Sequence, residues 1–325
     1  MTMTDLSSSD VGMRSSAVRF TSWNVKGMRG PVKRAKFFAH LKKLKTEIAF
    51  LQETHLVTAD HMKLRKPWVG QLYHSQFNTK ARGTAILICK NVQFSLKESI
   101  SDPQGRFVIV TGSLFNMQVA LACIYAPNWD DASFISRLIS ALPNMNTHRL
   151  IFGGDINCVM DPTLDRSSPK SVFPSKMAHA LSTFMNEAGC VDPWRFLFPR
   201  NKEFSFFSHV HQSCTRIDYF FIDKTLLPFI KKSECSAIVE SDHAPVLLDL
   251  GFPLNQAQRP SWRLDSTLLA DENFHKRIST AIDNFLLANK SDSVSPSILW
   301  ETLKVVIRGE IISYTAVSRF YIRAW

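Results

Sequence analysis

Eight short runs rich in Val, Ile, Leu, Phe and Tyr punctuate the first 250 residues, at 18–24, 47–52, 84–90, 106–113, 118–125, 149–154, 217–222 and 245–250. Each has strand length, and many are bounded by Gly, Pro, Asn or Asp. Helical periodicity intervenes at 33–45, at 131–142 (Phe134, Ile135, Leu138, Ile139, Leu142) and at 176–188 (Met177, Leu181, Phe184, Met185, Ala188). Apolar strands mixed with amphipathic helices need either two sheets or one sheet covered on both sides. An α/β domain follows.

Polar residues recur where these runs end. Trp23-Asn24, Gln52-Glu53, Tyr125-Ala126-Pro127-Asn128 and Gly153-Gly154-Asp155-Ile156-Asn157 close four of them, and Arg216-Ile217-Asp218-Tyr219 and Ser241-Asp242-His243-Ala244-Pro245 accompany the last two. Layered α/β domains gather strand ends on one edge, where ligands bind. One pocket is therefore expected to hold Asn24, Glu53, Tyr125, Asp155, Asn157, Asp218, Asp242 and His243. Any one of these could be a routine turn former. As a set they offer oxygen ligands and a single histidine, which suits Mg²⁺ or Mn²⁺ better than zinc. The set also fits phosphodiester hydrolysis. Glu53 can hold a hard cation that polarises the phosphate. Asp155 can take or orient the proton of an attacking water, and Asn157 can donate to a phosphate oxygen. His243, charged by pairing with Asp218, would ease negative charge on the phosphate. Tyr125 and Asn24 are further donors, and Asp242 suits a second metal position.

The chain carries 39 basic and 28 acidic residues, a net +11, which speaks to partners rather than to fold. From Lys26 to Lys45 there are eight basic residues and no acidic one. Phe37, Phe38, Leu41 and Leu44 recur there at helical spacing, which predicts a helix buried on one face and positive on the other. A basic face alone fits a solvated surface as well as a nucleic acid, but this one begins beside Asn24. No apolar run approaches the roughly 18 residues of a membrane span. Residues 1–17 lack the basic start and apolar core of a secretory signal and read as a loose tail. Six scattered cysteines without a Cys-x-x-Cys pair point to reduced thiols, and so to an intracellular protein of nucleus or cytoplasm. The glycines form neither a G-x-G-x-x-G nor a Walker spacing.

Composition changes after Phe252. Residues 253–261 read as a polar linker. Two helical patterns follow, one near 271–288 with Phe274, Ile278, Ile282 and Phe285, the other after the Ser295-Pro296 cap with Leu299, Leu303, Val306 and Ile307. Residues 262–325 are too few to bury a strong core alone and are expected to form a helical extension.

The site residues resemble those of the endonuclease/exonuclease/phosphatase superfamily. Within it they resemble most the endonuclease domain of LINE-type (non-LTR) retrotransposons, which is similar to apurinic/apyrimidinic endonucleases and exonuclease III. The resemblance rests on six pieces in the family's order: Thr21–Arg29, Ile48–His55, Ile124–Asn128, Phe152–Asn157, Ser205–Ser208 with Arg216–Tyr219, and Ser241–Pro245. It implies a four-layered α/β sandwich with two central mixed β-sheets over residues 18–252, here followed by the C-terminal helical extension. It implies metal binding at Glu53, with Asp242 near the metal and help from Asn24 and Asp155. It further implies water orientation at Asp155, phosphate contacts at Asn24, Asn157, Tyr125 and His243, and Asp218 as the histidine's partner. Ser205 falls where the family touches the DNA backbone, and Lys26, Arg29, Lys33 and Arg216 join it as expected backbone contacts. Lys26 is a departure, because repair enzymes of the family usually carry aspartate there. The stretches Trp262–Leu269, Trp300–Lys304 and Arg308–Tyr314 resemble the connector that precedes reverse transcriptase in such elements, so a polymerase region of a longer product is an expected partner.

These readings converge on a monomeric, Mg²⁺-dependent endonuclease that nicks double-stranded DNA, with Mn²⁺ as a substitute metal and no membrane partner. Two alternatives stand beside it. One is an apurinic/apyrimidinic endonuclease or 3′-to-5′ exonuclease of base excision repair, built on the same pocket. The other is an inactive retroelement remnant that binds nucleic acid without cutting. Lipid-directed phosphodiesterases of the superfamily fit poorly with the basic helix.

Overall fold

Every residue of Ile48–Gln52 is buried, which a strand achieves only when both faces of its sheet are covered. The computed structural model, which describes residues 15–168, 173–253, 264, 266–291 and 294–322, shows how that cover is built. The chain divides into two units between Leu254 and Asn255. The expected linker at 253–261 lies outside the described residues except for Pro253, as do residues 1–14 of the expected tail.

The first unit runs β1 (Ser15–Asn24), α1 (Pro31–Lys43), β2 (Ile48–Gln52), α2 (Thr58–His61), β3 (Val69–Ser75), β4 (Thr84–Cys89), β5 (Phe94–Ser101), β6 (Phe107–Leu114) and β7 (Met117–Tyr125). It continues through α3 (Ala132–Ala141), β8 (Arg149–Asp155), α4 (Lys176–Ala188), β9 (Cys190–Val191), α5 (Pro193–Leu197), β10 (Phe206–Ser208), β11 (Ser213–Thr215), β12 (Asp218–Asp223), β13 (Ile230–Cys235) and β14 (Val246–Pro253). One six-stranded sheet has the order β13-β14-β1-β2-β4-β3 and the other β5-β6-β7-β8-β12-β9, while β10 and β11 form a separate hairpin. Both large sheets are mixed: β1–β2 and β7–β8 are parallel, and their other major pairings are antiparallel.

Strand alternation assigns the layers. Ile48 and Phe50 of β2, Val108 and Val110 of β6, Leu121 of β7 and Phe220 of β12 belong to one core between the sheets, with Phe20, Phe50 and Phe220 meeting edge-on or tilted at centroid distances of 5.6–6.4 Å. Ala49 and Leu51 face the other way, onto Phe37, Phe38 and Leu41 of α1. Ile109, Ala122, Phe152 and Phe221 pack on Phe134 and Leu138 of α3 and on Met177 and Leu181 of α4. The result is the expected four-layered α/β sandwich. Local chemistry sets the helices. Pro31 opens α1, Asp131 caps α3 by accepting from Phe134 N, Ser175 caps α4 by accepting from Ala178 N, and Gly189 ends α4 at φ +61°. Gly154 is required where β7 and β8 meet, because a Cβ there would lie 1.8 Å from Ile124 O. None of the six cysteines is in a disulfide, and no described helix is long and apolar enough to cross a membrane.

In the second unit α6 (Glu272–Asn289) and α7 (Pro296–Ile322) fall where the two helical patterns were expected. Asp271 caps α6 by accepting from Asn273 N and Phe274 N, and Arg277 Nε meets Glu310 Oε2 at 2.9 Å. Phe274, Phe285, Leu303 and Ile311 are buried.

Candidate active site

Strand register brings the expected residues to one pole. Parallel pairing sets Asn24 beside Gln52, so that Glu53 follows directly, and sets Tyr125 beside Asp155. Antiparallel pairing sets Asp218, the first residue of β12, opposite Asp155, the last of β8. His243 leads into β14, which pairs with β1 at Val246–Ser22, and Trp23 Nε1 donates to His243 O at 3.0 Å. Both sheets thus contribute, and the sandwich core fixes the distance between them.

Asn24 is fully buried, and its Nδ2 donates to both Glu53 Oε1 (3.0 Å) and Asp155 Oδ2 (2.8 Å). Asp155 Oδ1 accepts from Asn157 N at 2.9 Å, with Asn157 at φ +53°. His243 Nδ1 meets Asp218 Oδ2 at 2.8 Å, and its Nε2 lies 3.8 Å from Asp155 Oδ2. Burial opposes charge on the imidazole, but Asp218 and Asp155 outweigh it and raise His243 to about 9. Burial pushes Asp155 up as well, opposed by His243 and reinforced by Asp218. Burial also acts on Glu53, yet hydrogen bonds from His55, Asn24 and Tyr125 carry it down to about 2. Tyr125 is pushed well up by burial and by Glu53 and Asp155, so it stays a phenol and donates to Glu53.

The pole therefore gathers three acidic side chains, Glu53, Asp155 and Asp218, around one imidazole. Asp218 Oδ1 is buried with no hydrogen-bond partner. Glu53 and Asp155, bridged by the Asn24 amide, offer the kind of oxygen donors that a hard divalent cation takes. Asp155, Asp218 and His243 lie within 4.8 Å of one another. Within that trio His243 Nδ1 is bonded to Asp218 Oδ2.

Other expected residues are placed differently. Asp242 Oδ2 pairs with Lys26 Nζ at 2.7 Å. Lys33 Nζ donates to Lys26 O, and Arg29 is exposed. On α1, Arg34 is buried and donates to Met28 O and Arg29 O, so the positive face is narrower than its sequence implies. Asn157 Nδ2 donates to Ala126 O, which uses one of the two N–H groups of that amide.

Ser205 and Arg216 are buried and bonded within the protein. Ser205 is fully buried; its Oγ donates to Asp218 Oδ2 (2.7 Å) and accepts from Ile217 N and Asp218 N. It positions the histidine's partner. Arg216 is buried over the Trp194 and Tyr219 rings, and its guanidinium is taken by Asp165 and Asp192 at 2.9 and 2.7 Å. Arg195 also meets Asp165, at 2.6 Å. Asp165→Ala would leave buried cationic charge undercompensated and is expected to cost about 3–5 kcal/mol. Urea unfolding checks this: a lowered midpoint with unchanged slope is expected, and an unchanged midpoint would contradict it.

Two contributors escaped the sequence reading. His55 Nε2 lies 3.2 Å from Glu53 Oε2, with Glu53 and His55 both at positive φ (+52° and +53°). A signal existed in Gly27 at φ +80°, where a Cβ would come 2.7 Å from His55 Nδ1. Arg106 is buried, donates to Ala126 O at 3.1 Å, and sets its guanidinium 5.0 Å from the Tyr125 ring centroid. No local pattern marks it.

Comparison with known proteins gives concordant findings. Residues 21–243 match the profile described as the Endonuclease/Exonuclease/phosphatase family. The chain is 28% identical over 265 residues to an exodeoxyribonuclease of Bacillus subtilis, which covers 71% of the chain and 98% of that relative. Among solved structures it is similar to the AP endonuclease LMAP of Leishmania major (TM-score 0.64, 21% identity, 73% of this chain and 88% of that one). It is also similar to the endonuclease domain of TRAS1, a telomere-specific non-LTR retrotransposon (TM-score 0.54, 18% identity, 74% and 100%).

Proposed function

The chain belongs to the endonuclease/exonuclease/phosphatase family, and from that premise we propose that it is a Mg²⁺-dependent endonuclease hydrolysing phosphodiester bonds in duplex DNA. The observation that carries the reading is the amide of Asn24 joining Glu53 to Asp155 beside the Asp218-bound imidazolium. Bound at Glu53 and Asp155, Mg²⁺ would polarise the phosphoryl oxygen and stabilise charge on the leaving oxygen. Asp155 Oδ accepts the proton of the attacking water and aims its lone pair, with the carboxylate fixed by Asn24 and Asn157 N. His243 keeps Nδ1 on Asp218 and offers its Nε2 proton to a phosphate oxygen, as an electrostatic clamp that needs no reorganisation. Tyr125 supplies a second neutral donor. Lys26 bound to Asp242 sets this pocket apart from the repair pattern, and the LINE-type reading rests on that departure together with the motif set.

Intact duplex is the substrate this reading expects, because basic side chains on a helix face recognise backbone on any sequence. The test compares kcat/KM in Mg²⁺ on a duplex with one abasic site and on its matched intact duplex. A ratio near unity is expected. A ratio of roughly 1000-fold, equivalent to about 4 kcal/mol of transition-state discrimination, would move the chain to abasic-site repair.

A further inference from the structure

Trp129 is 55% exposed although it sits on a tightly anchored loop. Asp130 accepts from Lys176 N and Met177 N, and Asp131 caps α3, so the residues after the indole are pinned while the ring faces solvent. Behind the ring, the Arg106 guanidinium lies 5.3 Å from its centroid and 5.0 Å from that of Tyr125. Arg106 is itself buried and held by Ala126 O. The indole is thus joined through one cation to the tyrosine that donates to Glu53. A second exposed aromatic lies against Gly105, the residue before Arg106. Phe77 is 45% exposed with Arg82 stacked 4.2 Å above its ring, and a Cβ on Gly105 would lie 3.0 Å from Phe77 Cβ. The two arginine-backed aromatics therefore ride on loops that meet at Gly105–Arg106.

From this arrangement, and resting on the nuclease reading above, we infer that Trp129 is a stacking platform for a nucleobase flanking the scissile phosphate, engaged when that base leaves the helical stack. Every base presents a π face, so such a platform binds without reading sequence. An arginine on its far side holds the ring rigid and adds cation–π attraction to the stack. The exposed apolar area of Trp129 has no packing role in the first unit, whereas stacking would cover it. The platform favours sites where a base is unpaired or its step readily unstacks. An abasic position has no base to offer it, which agrees with the absence of abasic preference expected above.

The experiment uses the full chain and its Trp129→Ala and Trp129→Phe variants, with two readouts. In EDTA, fluorescence is followed on a duplex carrying one unpaired 2-aminopurine. In Mg²⁺, kcat/KM is compared on the matched duplex and on the duplex with one unpaired base. The wild-type protein and Trp129→Phe are expected to quench the 2-aminopurine and to favour the unpaired-base duplex by about tenfold. Trp129→Ala is expected to lose the quenching, and its ratio of kcat/KM between the unpaired-base and matched duplexes is expected to fall to about unity. Quenching and preference unchanged in Trp129→Ala would overturn the platform. Quenching that depends on Trp129 in a protein that cuts neither duplex would uphold the platform and overturn the hydrolase reading alone.

Discussion

Asp155→Asn is expected to lower kcat on duplex DNA by about 10³–10⁴-fold while leaving the protein folded, with a melting temperature close to that of the wild type. The substitution keeps an acceptor for Asn157 N and removes the negative charge that would take the proton of water. Its effect on stability is the sum of two opposed changes, because Asn24 Nδ2 loses its acceptor at Oδ2 while a buried charge is removed. Asp155 is buried with Glu53 and Asp218 near it, and its raised pKa means that the ionised form is disfavoured in the folded protein. Removing that charge relieves the metal-free pole at neutral pH and above. Thermal melting in EDTA alongside single-turnover kinetics in Mg²⁺ separates the two effects. A variant that melts far below the wild type would show that Asp155 serves the fold.

Asp218→Asn should cost about 10²–10⁴ in kcat, because it removes the carboxylate that keeps His243 charged. Wild-type activity is expected to hold until pH approaches 9, the value to which Asp218 and Asp155 raise the imidazole against its burial. In Asp218→Asn that limit should move to lower pH. The same shift is a stability statement. His243 titrates near 6.5 when unfolded and about 9 when folded, so its contribution is fully present below pH 6.5 and is lost as pH rises through 9. The amount at stake is on the order of 3 kcal/mol. Asp155, also raised, adds a slope of the same sign beginning at lower pH. Metal-free protein should therefore melt at progressively lower temperature from pH 6.5 to 9, and His243→Asn should flatten that fall. An equal fall in His243→Asn would mean that the imidazole is not charged in the fold.

What was legible in the sequence follows burial. The strands covered on both faces, such as β2 and β12, are unbroken apolar runs and were found with boundaries off by only a residue or so. The edge strands β3, β5, β9 and β13 were not. β5 reads Phe-Ser-Leu-Lys-Glu-Ser-Ile-Ser and is mostly exposed, β13 carries Lys231 and Lys232, and β9 has two residues. Edges need charge and polarity to resist pairing with other chains, which erases the pattern that reveals a strand. At the pole, strand ends told which residues would meet, since parallel register carries Asn24 to Glu53 and Tyr125 to Asp155. They could not tell which way a side chain turns. Ser205 and Arg216 stand in the right motifs yet face inward, because their partners Asp218, Asp165 and Asp192 arrive from 13 to 51 residues away. His55 and Arg106 act through positive φ and a long reach across loops, neither of which leaves a periodic trace.

Supercoiled plasmid incubated with the full chain in Mg²⁺ or in EDTA, with Asp155→Asn beside the wild type, tests the hydrolytic assignment most directly. Wild-type protein should convert supercoiled DNA to the nicked circle in Mg²⁺ alone, and Asp155→Asn should leave it supercoiled. Nicking that persists in EDTA, nicking by Asp155→Asn at the wild-type rate, or intact plasmid after incubation with well-folded wild-type protein in Mg²⁺ would contradict the account.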